Sequence, residues 1–184
     1  MLQLNDIKKY LNIESSTVKY DAFLNDLIEV AEDEIIKYCG QSIVQATIDY
    51  YFEWNGTSKL VPYNNCTVLN NLYERSEPSD SWAEVTGYLF NNPLPSISYE
   101  FDGSYYKANI THGYTTAPSE VLNVGNEMVY VMFEQSRAGT GDLSNTLGLS
   151  QKQTQGDTFS GTVTVKNMKP EWLRILNKYK RIND

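Results

Sequence analysis

Apolar residues recur with a helical period in two long stretches of the chain and with a strand period between them. Tyr20, Phe23, Leu24, Leu27, Ile28, Ala31, Ile35 and Tyr38 keep the i, i+3, i+4, i+7 spacing and predict an amphipathic helix over Asp21–Gly40. Gly40 supplies the left-handed residue that closes it. Upstream, Leu4–Leu11 reads as a short helix with Asn5 as N-cap and Ile7, Tyr10 and Leu11 on one face. The helical rhythm returns after Ala117-Pro-Ser-Glu120, where a proline and an acid mark a helix start. There Val121, Leu122, Val124, Met128, Val131, Met132 and Gln135 form a broad apolar face over Ser119–Ala138. Val129, Tyr130 and Phe133 lie off that face, which predicts the most buried helix of the chain.

From Ile43 the period is two. Ala46–Trp54 and Thr57–Tyr63 flank Asn55-Gly56, the dipeptide of a type I′ turn, and predict a hairpin. Ile97–Phe101 and Ser104–Ile110 flank Asp102-Gly103 and predict a second one. Thr67–Tyr73 and Trp82–Phe90 read as further strands around a polar turn at Glu77–Asp80. The chain then becomes nearly uncharged: from Gly139 to Val165 only Asp142, Lys152 and Asp157 carry charge. A basic amphipathic helix, Lys169–Arg181, follows. The predicted class is α+β: a small helical bundle, a β-rich insertion of hairpins between the second and third helices, and an extended C-terminal arm. The expected divisions are a body over 1–138 with its β-rich middle at about 43–112, a polar loop over 139–166 and a docking helix over 167–184.

A chain of 184 residues suits one domain with an arm. No apolar run approaches the ~20 residues of a membrane span, and the first residues lack the pattern of a signal peptide, so synthesis in a host cytoplasm is expected. The net charge of −8 argues against a nucleic-acid clamp. The charge is polarised, however. Acids crowd the second helix, among them Glu29, Glu32 and Asp33, whereas Lys178, Lys180 and Arg181 lie near the end. Such poles predict contact between copies or with an acidic partner, against the plainer alternative of two solvated helix faces.

Chemistry is sparse. Cys39 and Cys66 lack a metal-binding spacing and are expected to be buried thiols. The single histidine, His112, rules out a multi-histidine metal centre and is expected to be structural. No phosphate-binding, dinucleotide-binding or serine-hydrolase motif occurs, so no catalytic residue, cofactor or metal is assigned. Tyr50, Tyr51, Phe52, Trp54 and Tyr63 around one hairpin fit either cross-strand packing or an exposed platform for a carbohydrate or receptor.

Several of these segments together resemble a known family. Leu4-Asn-Asp-Ile-Lys-Lys-Tyr-Leu11 opens the chain and Ile36-Lys-Tyr-Cys-Gly-Gln41 closes the second helix. Ile110-Thr-His-Gly-Tyr114 precedes the third helix, and Trp172-Leu-x-x-Leu-x-x-Tyr-Lys-Arg181 ends the chain. This order resembles the head–tail connector (adaptor) proteins of tailed bacteriophages. The resemblance implies a non-enzymatic virion protein at the head–tail junction, in a homo-oligomeric, twelve-fold ring between the portal and the tail or tail-completion proteins. DNA would pass through without specific binding, and no membrane is involved. Trp172, Leu173, Leu176 and Tyr179, flanked by Lys178, Lys180 and Arg181, would dock on the portal. The loop with Asp142, Lys152, Asp157 and Phe159 would face the channel or a neighbouring subunit, and Glu29, Glu32 and Asp33 would face another subunit. The alternative is a carbohydrate- or receptor-binding tail accessory module using the aromatic hairpins; a hydrolase or lyase using His112 ranks third.

Overall fold

A computed structural model describes residues 1–92, 94–137 and 168–182. The chain forms two compact units. One comprises Met1–Gly40 with Ala117–Tyr179, the other Gln41–Thr116 with the residues from Lys180 onward.

The first unit is helical: α1 (Leu4–Tyr10), α2 (Asp21–Cys39), α3 (Ser119–Arg137) and α4 (Pro170–Leu176), with a 3-10 turn at Asn177–Tyr179. The apolar face of α2 is buried at Leu24, Leu27, Ala31, Ile35 and Cys39, as its spacing predicts. Gly40 adopts φ 68° and its N–H caps Ile36 O, the left-handed C-cap. Both Val129 and Phe133, off the expected face of α3, are buried beside Val121, Val124, Met128 and Met132. Helix α1 departs from expectation at its start: Gln3, not Asn5, is the N-cap, and no side chain bonds the cap. Its Lys8 is buried, and the ammonium pairs with Asp21 Oδ1 at 2.5 Å and donates to Ser15 O at 3.2 Å.

The second unit is a five-stranded antiparallel sheet, β1 (Ala46–Leu60), β2 (Val68–Arg75), β3 (Ala83–Glu84), β4 (Leu89–Asn91) and β5 (Ser96–His112). Strand β5 is central, with β1 on one side and β2 and β4 on the other, and β3 extends the sheet from β2. Neither predicted hairpin forms. Asn55-Gly56 and Asp102-Gly103 lie inside long strands, with Asn55 opposite Asp102 and Gly56 opposite Phe101. The register shifts on either side of this point, and Gly56 takes φ 145°, so the expected turn residues instead build bulges that twist the ribbon. The physical reason is the core. Continuing the strands lets Phe52 stack on Tyr50 at 5.1 Å and on Tyr106 at 5.5 Å, and brings Phe101 edge-on to Tyr106 at 4.9 Å. Burial of those rings, worth about 2 kcal/mol or more each, outweighs a local turn preference. The segment Trp82–Phe90, expected as one strand, is split into β3 and β4 around Gly87 at φ 83°.

Alternation sorts the sheet into two faces. Ile48, Tyr50 and Phe52 of β1 pair with Ile110, Ala108 and Tyr106 on the inner face, where Leu69, Leu72 and Ile97 join the same core. The outer face presents rows that cross three strands: Asp49, Asn109 and Asn71; Tyr51, Lys107 and Tyr73; Glu53, Tyr105 and Arg75.

Candidate functional site

Pro170 at the start of α4 spends no backbone donor and fixes the helical φ. The helix and the turn after it place Trp172, Leu176 and Tyr179 on one stripe, 1%, 0% and 8% exposed. Their polar atoms are matched by α3. Trp172 Nε1–H donates to Glu127 Oε2 at 2.8 Å, and Lys169 Nζ donates to Glu127 Oε1 at 2.6 Å. One turn-pair earlier on α3, Glu120 accepts from Tyr179 OH and from Lys178 Nζ at 2.8 Å. Two carboxylates seven residues apart thus clamp the two ends of the segment. The hydrogen bond from Lys169, aided by that from Trp172, holds the Glu127 carboxyl below its ordinary range despite partial burial. Hydrogen bonds from Lys178 and then Tyr179 do the same for Glu120. From α2, Tyr38 OH donates to Asn177 Oδ1 at 2.7 Å.

The structure therefore seats Trp172, Leu176 and Tyr179 in the core of their own helical unit, where they anchor the segment rather than project from it. The remaining residues of the expected docking set are accessible to different degrees. Leu173 is half-buried, Lys178 and Lys180 are exposed, and Arg181 is half-buried. Arg181 stacks on Tyr63 at 4.4 Å, and Ile182 N–H donates to Pro62 O at 2.9 Å, so residues 180–182 strap onto the sheet unit.

His112 lies beneath that strap, 1% exposed, with its ring 4.7 Å from Tyr63. Burial first, and the charge of Arg181 second, push its pKa down. Its Nδ1 has no hydrogen-bond partner among the described residues, so no carboxylate orients it as a general base would require. Among the described residues no group of three or more His, Cys, Asp or Glu side chains is placed to hold a metal ion. Burial raises the Cys66 thiol to about 11, the behaviour of an inert buried cysteine.

The acidic face of α2 is present with one change of membership. Glu29 and Asp33 are exposed, but Glu32 is engaged at home, accepting from Leu2 N–H and lying 2.7 Å from the Met1 nitrogen. Asp26, exposed and one turn before Glu29, completes the stripe. Asp142, Lys152, Asp157 and Phe159 lie outside the described residues. Of the five aromatic residues around the expected hairpin, Tyr50 is buried and Phe52 and Tyr63 pack on the sheet core, while Tyr51 and Trp54 are exposed.

Pattern reading of the sequence missed one constellation, on the outer face of the sheet. Trp82, from the loop before β3, lies over the side chains of β2 and β5. The Arg75 guanidinium is 4.4 Å from the Trp82 ring and 5.8 Å from that of Tyr105. The Lys107 ammonium is 4.4 Å from Tyr73 and 5.5 Å from Trp82. Tyr51, 59% exposed, borders Trp82 at 5.9 Å. The only signal in the sequence is the outward alternation of Tyr51, Tyr73, Arg75, Tyr105 and Lys107, which becomes a cluster once the register is known.

No helix among the described residues is long and apolar enough to cross a membrane. No curated protein matches the chain. In fold it is similar to a chain of the neck of an empty gene transfer agent (GTA) particle computed with C6 symmetry, with TM-score 0.61 at 11% identity over 100% of this chain and 91% of that one. A chain of the virion of the native GTA particle matches with the same TM-score, identity and coverage. A chain of the native GTA neck computed with C12 symmetry gives TM-score 0.57 at 10% identity over 100% and 93%. At such identities the likeness is one of fold. Sequence itself matches the family of phage gp6-like head-tail connector proteins over residues 1–97, more than half of the chain. A structural connector role in the virion goes with that match. The chain belongs to the phage gp6-like head-tail connector family.

Proposed function

We propose that this protein is a non-enzymatic ring subunit that joins the portal to the tail or tail-completion proteins and forms part of the channel for DNA. The family match over residues 1–97 carries the reading. The geometry supports it in two ways. The buried histidine and inert cysteine offer no catalytic pair, whereas the segment Lys169–Tyr179 is mounted on α3 through the Lys169–Glu127 and Lys178–Glu120 pairs. A rigid mount lowers the ordering cost of binding. In this reading Leu173, Lys178, Lys180 and Arg181 meet the portal, while Trp172, Leu176 and Tyr179 act indirectly by holding Leu173 and Lys178 in place. The ring is closed and heterologous, with twelve copies as the family pattern implies.

The test is mass photometry of the full chain, alone and mixed with its portal protein. The expected result is a single closed species on the portal. Reversal of Lys178 and Lys180 to Glu should slow its formation at low salt and less at high salt, since screening acts beyond ~10 Å at 0.1 M. Absence of any self-association and of any portal complex would refute the reading.

A further inference from the structure

We propose that the aromatic and cationic face of the sheet docks on the acidic stripe of α2 in the next copy of the chain, and so forms a subunit–subunit contact of the ring. The inference rests on the ring reading above and names two surfaces of it.

Arg75 and Lys107 are cations without an ion pair among the described residues. Each is instead walled by rings: Arg75 by Trp82 and Tyr105, Lys107 by Trp82 and Tyr73. Aromatic walls replace water on one side of a cation without neutralising it. Arg75 gives one Nη to Pro78 O at 2.6 Å, but its buried Nε finds no acceptor. On the same face Asp49 accepts from Asn109 and Glu84 from Asn71, and Glu53, exposed opposite Tyr105, forms no ion pair with either cation. Two cations backed by rings and without an ion pair among the described residues present a surface suited to carboxylates from outside.

The chain offers those carboxylates itself. Asp26, Glu29 and Asp33 lie on one exposed stripe of α2 and have no ion pair among the described residues. The spacings agree. Arg75 lies opposite Tyr105, two residues from Lys107 on β5, which makes the two residues diagonal neighbours, positions that stand about 7–8 Å apart in a sheet. Acids three and four residues apart on a helix stand one turn apart, roughly 5–6 Å between Cβ atoms, within reach of that pair. The rings add what an interface core needs, because Trp, Tyr and Arg dominate binding hot spots. A copy that carries both a surface and its complement can close a head-to-tail ring, and a net charge of −8 makes any unmatched contact between copies repulsive.

The test uses two charge-reversed forms of the full chain. One carries Arg75→Glu and Lys107→Glu, the other Asp26→Lys, Glu29→Lys and Asp33→Lys. Each alone should associate at least tenfold more weakly than the wild type by sedimentation velocity. An equimolar mixture should regain association, because each form's altered surface then meets its complement. Carbodiimide coupling of mixed light- and heavy-isotope copies of the wild type provides a second measurement that does not depend on variant folding. It should yield an inter-copy peptide joining Lys107 to the α2 acids. Association of the wild type without that peptide, or variants that fail to rescue each other while remaining folded by circular dichroism, overturns the pairing and leaves the ring reading intact. A wild-type chain that never self-associates, alone or on the portal, overturns both.

Discussion

Replacing Trp172 by Ala tests whether the C-terminal segment is an anchor of the helical unit or a separable arm. The indole is 1% exposed and its N–H is spent on Glu127. An aromatic of this size removes about 200 Å² from water, worth roughly 5 kcal/mol at 25 cal/mol per Å² before the compactness of the unfolded chain is allowed for. That allowance brings it to about 3–4 kcal/mol. Glu127 is partly exposed and can turn to water, so its lost bond adds little. The truncation should therefore cost about 3–5 kcal/mol, within the observed range for buried aromatics. Against a total stability on the order of 10 kcal/mol, this is a large fraction. Urea unfolding followed by circular dichroism would show a midpoint lowered by about 1–3 M, given a slope near 2 kcal/mol per M. Trp172→Phe, which keeps most of the burial but loses the donor, should cost about 1 kcal/mol. A loss below about 1 kcal/mol for Trp172→Ala would show that the segment contributes nothing to the body and would refute the anchoring argument.

Three further outcomes follow from the same geometry. At Gly113, φ is 90° and an added Cβ would sit 2.5 Å from Val44 O, so Gly113→Ala should lose about 2–4 kcal/mol by thermal or urea melts, whereas Gly87→Ala, with nothing within 4 Å of its Cβ, should lose only the backbone strain. Glu120 and Glu127 have lowered folded pKa values, so their stabilisation is complete above the ordinary carboxylate pKa of 4.5 and is lost as pH falls below it; Glu127→Gln should flatten that acid limb of a midpoint-versus-pH curve. His112 also has a depressed folded pKa, so stability is full above 6.5 and declines as pH falls from there towards the folded value; His112→Asn should remove this separate limb and alter midpoint stability by no more than about 1–2 kcal/mol.

Local periodicity revealed the helices because each buries a stripe that its own sequence defines. Leu24, Leu27, Ala31 and Ile35 identify α2, and Gly40 marks its end, with no knowledge of what packs against them. The sheet was legible strand by strand but not in its pairing. Asn55-Gly56 and Asp102-Gly103 carry strong hairpin signals, and only the shared burial of Phe52, Phe101 and Tyr106 makes two facing bulges the better solution. The C-terminal stripe of Trp172, Leu176 and Tyr179 shows a related limit. An apolar stripe flanked by lysines looks the same whether its groove lies in its own chain or in a partner, and Glu120 and Glu127 decide the matter from some fifty residues away. The caged Arg75 and Lys107 were illegible for the same reason, since the cage requires three strands and a loop to be in register.

The helical unit is built from two stretches of chain, residues 1–40 and 117–179, with the whole sheet threaded between them. During synthesis, then, α1 and α2 leave the ribosome with apolar faces whose partners have not yet been made. At about 5–20 residues per second, α3 and the Trp172 segment arrive on the order of ten seconds later. Over that interval Leu24, Leu27 and Ile35 form a sticky surface that α1 alone must shield. The order of translation thus leaves the helical unit open until α3 and the Trp172 segment have been made, and the hydrogen bond from Trp172 to Glu127 is among the latest contacts to close it.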